Sequence, residues 1–310
     1  MFLLSRGSFR CLDLDFSRAE YTAAPYPCFV FTQLFSAETL QGLREEFPEV
    51  LLAQRARVAG GRLQLPNGTS DFYRFLDRSH WWRDVYQEFN SKAFSEAVIG
   101  AFEKDIMRHQ PLFEISKLKF DPTLFERQAK MRSVTLFQTL AQRKLLVTGS
   151  KDICEFLLVR EYLRWRSISE KVLSLRQSDV ALSFDISVAH DGYTREVHRD
   201  SDSRIAAMVV YLDDFSAGEG GTFLVHQHKI QKSMDEYEPQ PAPSNVVISR
   251  EYRPKANLGL LFLNVPNAYH SVPVIRNAHG WRKFFYLGIS LVGKKAWKNQ
   301  FRFDYNRFLA

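Results

Sequence analysis

The chain has 310 residues, 45% of them hydrophobic, enough to bury a substantial core, and a formal net charge of +7. That balance admits nucleic acid, phosphates or carboxylated small molecules as partners, but no block of five or six like charges concentrates it, which disfavours a nucleic-acid surface. Three scattered cysteines, Cys11, Cys28 and Cys154, form no CxxC pair, and no apolar stretch approaches the ~20 residues of a membrane span. With an apolar start, Met1 to Leu4, too short for a signal sequence, the expectation is a soluble cytoplasmic protein in a reducing compartment.

Residues 1–24 read as an extended lead-in. Cys28–Phe31 reads as a first strand and Ser36 as the cap of a helix whose apolar face is Leu40, Leu43 and Phe47, stopped by Pro48. Residues 55–70 carry Gly60-Gly61 and Pro66-Asn67-Gly68, turn chemistry for a loop or loose hairpin. From 80 to 106 the pattern is helical, with Phe94, Ala97, Val98, Ala101 and Phe102 on one stripe. Asp121-Pro122 opens a helix reaching about 146, and a second helix runs from about 151 to 172. Between Phe125 and Lys171 stand ten Lys/Arg and only five acids. Solvated faces of two amphipathic helices explain this excess, and a basic cap over an anionic substrate is the functional alternative. After 180 the period shifts to strands: 180–189, 205–212, 222–225, 245–249, 258–265, 272–275 and 283–291. A polar, proline-bearing loop lies at 227–244, and an aromatic, basic tail expected to dock on the body lies at 296–310. The expected organisation is a single domain: an N-terminal strand and supporting helices (24–107), a helical insertion (108–179), a β core (180–295) and the tail.

His198 and Asp200 are two residues apart, so both side chains can leave one side of an extended strand end. His270 lies 70 residues beyond Asp200 and must come from a strand that returns past the first. Two histidines and one carboxylate make a facial triad, the donor set that holds Fe(II) with open positions. An HxD tripeptide alone is common, so the order of features matters: HxD, Arg204, an apolar strand ending in Tyr211-Leu-Asp-Asp214, Gly220-Gly-Thr-Phe223, a second apolar strand, then His270-Ser-Val-Pro-Val274 and Arg282.

In this order the chain resembles the Fe(II)/2-oxoglutarate-dependent oxygenases, most closely their prolyl-4-hydroxylase-like branch, over 24–48 and 181–291. The resemblance implies a mainly β fold with helical additions: a double-stranded β-helix (jelly roll, cupin-like) flanked by helices. It implies Fe(II), 2-oxoglutarate and O2 as cofactor and co-substrates, with His198, Asp200 and His270 as metal ligands and catalytic residues. It also implies a basic residue opening the last barrel strand for the far carboxylate of 2-oxoglutarate. Strand alternation lets only one of Arg282 and Lys283 point inward, and the family pattern favours Arg282, whose planar fork suits a carboxylate; Arg276 is a weaker rival. Tyr211 is placed to add a hydroxyl there. Relatives often carry a Tyr nine residues before the first ligand, where this chain has Ala189 beside His190. Arg195 and Arg204 flank HxD and are candidates for substrate contact, or simply rim charges. His226, His228 and His279 do not fit the triad spacing. The implied chemistry is oxidation of an unactivated C–H bond: hydroxylation, or desaturation or ring closure. Halogenation is disfavoured because Asp200 occupies the position that halogenases of the group give to a small residue. The preferred substrate is a small carboxylated metabolite or amino acid. A protein or peptide side chain and a nucleic acid are the alternatives.

Overall fold

A computed structural model describes residues 10–54, 61–109, 115–126, 178–215, 220–234, 236–276, 280–292 and 295–297. Strands β1 (Glu20–Thr22) and β2 (Cys28–Phe31) pair antiparallel. All four residues of β2 are buried, as an apolar run covered on both faces requires. The Ser36 hydroxyl accepts the Thr39 backbone N–H at 3.0 Å and caps α1 (Ala37–Glu45). Leu40 and Leu43 lie on its buried face, and Phe47 is buried just beyond it. Pro48 also begins something: it occupies the N-cap of a short second helix, α2 (Glu49–Ala53), where a missing N–H costs no helical bond.

The expected loop at 55–70 contains instead strand β3 (Leu63–Pro66), and helix α3 (Ser70–Leu76) follows directly. Long-range pairing makes the strand: Leu63 and Leu65 lie opposite Val188 and Ile186 and are buried there. The helical pattern of 80–106 divides into α4 (His80–Phe89), α5 (Lys92–Ala101) and α6 (Glu103–His109). Ser91 causes the first break, since its hydroxyl accepts the Phe94 N–H at 3.1 Å and starts a new helix. The predicted stripe is buried at Phe94, Ala97, Val98 and Phe102, and half-buried at Ala101. Of the expected insertion, strand β4 (Leu118–Phe120) is described, and the Asp121 carboxylate accepts the Thr123 N–H at 2.9 Å, as a helix start requires. The two amphipathic helices and their basic face, from 127 onward, lie outside the described residues.

Eight strands then build the barrel: β5 (Ser178–Ala189), β6 (Arg195–His198), β7 (Arg204–Tyr211), β8 (Phe223–His228), β9 (Val246–Tyr252), β10 (Leu258–Leu263), β11 (Tyr269–Val272) and β12 (Arg282–Leu291). Among the described residues the larger sheet runs β1-β2-β10-β7-β12-β5-β3, with β4 also on β5, and the smaller runs β6-β11-β8-β9. The chain crosses from one sheet to the other between β5 and β6, β6 and β7, β7 and β8, β9 and β10, β10 and β11, and β11 and β12. This is the double-stranded β-helix. The strand expected at 272–275 starts three residues earlier, because His270 is held between Val225 and His198. The polar stretch expected at 227–244 cedes its first two residues to β8 and otherwise joins β8 to β9.

The outer face of the larger sheet carries the core against the helices. Phe184 meets Phe72, Tyr86 and Phe89, and stacks on Phe285 at 5.0 Å; Phe285 also meets Phe35, Trp82 and Phe89. Truncation at this junction, Phe285→Ala, is expected to cost about 3–5 kcal/mol in a denaturant titration. A loss under about 1 kcal/mol would mean that the helices do not depend on this contact. At the chain's end Ala296 and Trp297 are buried, and the Trp297 indole donates to the Arg204 carbonyl at 2.9 Å; residues 298–310 lie outside the described set.

Candidate metal centre

Strand β6 ends at His198, and the register of β11 puts His270 directly opposite it. Asp200 follows two residues past β6. Ligand atoms of His198, Asp200 and His270 all lie within 4.8 Å of one another. The Nδ1 atoms of both histidines face carbonyls, His198 to Glu196 at 2.7 Å and His270 to Ala268 at 3.1 Å. A carbonyl only accepts, so each Nδ1 carries the proton and each Nε2 presents its lone pair to the site. Phe223 stacks on the His270 ring at 5.2 Å and fixes its plane.

Asp200 is positioned from behind. Its backbone N–H donates to the Asn264 side chain at 3.2 Å, and the fully buried Asn264 amide in turn donates to the Ser201 carbonyl at 3.0 Å. The Tyr286 hydroxyl donates to Asp200 Oδ2, and the Arg204 guanidinium donates to the Tyr286 oxygen at 2.8 Å. Arg204 is thus half-buried behind the carboxylate and is not an exposed rim charge. Space for it comes from Gly288, where any Cβ would collide with the guanidinium.

Burial, reinforced by His270, pushes the His198 imidazole down to about 3, and burial lowers His270 as well. Burial would raise the Asp200 carboxyl, but His270, Arg204 and His198 outweigh it and hold Asp200 below its usual range. Two neutral imidazoles and one carboxylate are the protonation states that a divalent ion needs, and the donor set fits Fe(II). Arg195 is half-buried, and its Nε donates to His198 Nε2 at 3.2 Å, so it uses the lone pair that an ion would take. Arg195 therefore touches the centre itself, not an outer rim.

Arg282 opens β12 and is 2% exposed. Its guanidinium lies 4.9 to 5.4 Å from the ring centres of Phe284, Tyr211 and Tyr193, and Nη1 donates to the Gly221 carbonyl. Gly221, at φ +69°, permits this approach: a Cβ there would stand 2.9 Å from Nη1. Arg282 Nε and the Tyr211 hydroxyl are buried without partners among the described residues. Burial raises the Tyr211 hydroxyl to about 12, so it stays a donor. Two unpaired donors side by side fit a carboxylate. Lys283 turns outward, to Glu49 at 2.5 Å and the Phe47 ring at 5.3 Å, as alternation predicts; Arg276 is exposed.

Several contributors escaped the sequence reading. Tyr193 covers Arg282 from a turn and carries no periodic signal, while Ala189 lies opposite Arg282 across the ladder. Tyr286 and Asn264 read as barrel wall and strand end. His226 and His228 serve as hydrogen-bonding residues, His226 with Ser271 at 2.7 Å and His228 with the Ile230 backbone at 2.7 Å; His279 lies outside the described residues. Removing the hydroxyl in Tyr286→Phe should weaken metal binding by about 10–100-fold, the usual cost of losing an outer-shell partner. Unchanged affinity in a metal titration would reduce Tyr286 to packing.

The sequence matches no protein-family model and no curated protein. Among solved structures the chain is similar to a prolyl 4-hydroxylase from Phytophthora capsici (11% identity, 86% of this chain and 59% of that one, TM-score 0.42). It is also similar to a Trichoplax adhaerens prolyl hydroxylase in complex with a peptide fragment of hypoxia inducible factor (10% identity, 85% and 83%, TM-score 0.44). A third is HygX from Streptomyces hygroscopicus, solved with nickel and 2-oxoglutarate bound (10% identity, 87% and 85%, TM-score 0.42). Against the Phytophthora chain, then, this one spans under two thirds of the length. No helix among the described residues is long and apolar enough to cross a membrane.

Proposed function

We propose that this chain is an Fe(II)- and 2-oxoglutarate-dependent oxygenase that oxidises an unactivated C–H bond of a small carboxylated metabolite or amino acid. The observation that carries the reading is the His198–Asp200–His270 cluster, within 4.8 Å, in a barrel that also holds the unpaired donors of Arg282 and Tyr211. Bound together, the iron, 2-oxoglutarate and O2 supply the oxidising power for C–H cleavage, with succinate and carbon dioxide as by-products.

The protein's part is placement. His198, His270 and Asp200 would hold the ion through two imidazole nitrogens and one carboxylate. Tyr286 and Arg204 keep the carboxylate charged and aimed. Arg282 and Tyr211 hold the far carboxylate of 2-oxoglutarate, and the rings of Tyr193 and Phe284 exclude water from that pair, which strengthens it. The test is succinate release from 2-oxoglutarate in the presence of Fe(II), screened over amino acids, other small carboxylates, peptides and oligonucleotides. Release that depends on Fe(II) and is stimulated by a small carboxylated compound is the expected result. Stimulation by peptides or oligonucleotides alone would move the substrate class, and no release at all would remove the enzyme reading.

A further inference from the structure

Strand β5 has two unlike faces. Val180, Leu182, Phe184, Ile186 and Val188 are all essentially buried against neighbouring elements. The alternate positions, Ala181, Ser183, Asp185, Ser187 and Ala189, are small or polar and share the inner face with Phe284 and Tyr286 of β12 and Gln64 of β3. Asp185 pairs directly with Tyr286, whose hydroxyl touches Asp200. Side chains directly opposite on paired strands stand about 4.5–5.5 Å apart at Cβ, so Asp185 lies within a small molecule's length of the metal ligands.

Asp185 is half-buried and, among the described residues, accepts no hydrogen bond and forms no ion pair. Burial raises its carboxyl although the nearby cations Arg62 and Arg204 oppose the rise. Beside it the fully buried Ser187 hydroxyl is also unpartnered. The two cations differ. Arg204 gives Nη1 to Tyr286 behind the metal ligands and keeps Nε buried without a partner among the described residues, whereas Arg62 uses one nitrogen on Gln64 at 2.6 Å and lies 6.0 Å over the inner-face ring of Phe284. The inner face therefore offers one uncommitted acid and one largely uncommitted base, near each other but not in contact. A structural pair would have closed; a pair held open suits a molecule that brings both complementary charges.

We propose that Asp185 and Arg62 form the substrate-recognition pair of this barrel, taking the protonated amine and the carboxylate of a free amino acid, with Ser187 as an added hydrogen-bond partner. A dicarboxylate would meet repulsion at Asp185, and a simple amine would leave Arg62 unanswered. This rests on the oxygenase reading and narrows its substrate class to zwitterions.

The test is a thermal-shift panel of the twenty L-amino acids and their N-acetyl and carboxamide derivatives, on anaerobic protein holding Fe(II) and 2-oxoglutarate. At least one free amino acid should raise the midpoint while both of its blocked forms fail. Asp185→Asn and Arg62→Gln should each weaken that binding by at least roughly tenfold, with 2-oxoglutarate binding in the same samples showing that the barrel is intact. The proposal is overturned if no free amino acid binds, if blocked forms bind equally well, or if binding survives both substitutions. Should either variant fail to fold, the free-against-blocked comparison in the unaltered protein decides alone. Succinate release is measured separately: its absence counts against the oxygenase reading, whereas the midpoint panel judges the pair.

Discussion

Asp200→Ala should abolish succinate release, a loss well beyond the ~10–100-fold that removal of an outer-shell partner costs. Asp200 is the single anionic ligand atom source in the cluster within 4.8 Å, and two neutral imidazoles alone hold a divalent ion weakly in competition with water. The local backbone does not depend on the carboxylate. The Asp200 N–H stays on Asn264, and Asn264 stays tied to Ser201 and to the Arg204 carbonyl. The cost to folding falls on Tyr286 and Arg204, which lose the anion they face, and it appears as a lowered melting midpoint in an otherwise native circular-dichroism spectrum. Iron content and succinate release measured on the same sample decide the matter. Full activity in the purified variant would sink the metal assignment, and an unfolded one would show Asp200 to be a folding residue first.

What was legible in the sequence follows from how local each determinant is. The HxD spacing and the Ser36 cap are carried by neighbours within a few residues, and His270, though 70 residues further on, is marked by the two apolar runs before it; His198, Asp200 and His270 come together and Ser36 caps its helix. Strand β3 was illegible because its turn-rich surroundings say loop, while its partner, β5, lies more than a hundred residues away. Arg204 shows the same limit at the site. From sequence it is a charge beside the HxD motif, and only the β7–β12 pairing turns it behind Tyr286 instead of toward the rim. Tyr193 and Asn264 owe their roles to loop geometry, which no periodicity encodes. Residues were readable as ligands when their chemistry was specific, and unreadable as supports when a common residue type drew its role from distant contacts.

Arg282→Ala is expected to raise the Michaelis constant for 2-oxoglutarate by roughly 30-fold to a few thousand-fold, the loss of a buried charge-assisted pair worth about 2–5 kcal/mol. The geometry supports a value within that range. Arg282 is 2% exposed, walled by three aromatic rings and joined at Nη1 to the Gly221 carbonyl, so its remaining donors act in a dry, low-dielectric pocket. Arg282→Lys keeps the charge but loses the fork and the Gly221 bond together, and should fall between the wild type and the alanine variant. Lys283→Ala removes only an outward contact with Glu49 and Phe47 and should leave the constant unchanged. Tyr211→Phe deletes one neutral donor and should cost less than Arg282→Ala, by the gap between an ordinary and a charge-assisted hydrogen bond. Iron affinity measured alongside separates the two halves of the site: it should hold in every one of these variants, because none of the three residues belongs to the His198–Asp200–His270 cluster. A normal Michaelis constant in Arg282→Ala with a raised one in Lys283→Ala would invert the facing of β12 and remove the carboxylate pocket from the proposed mechanism.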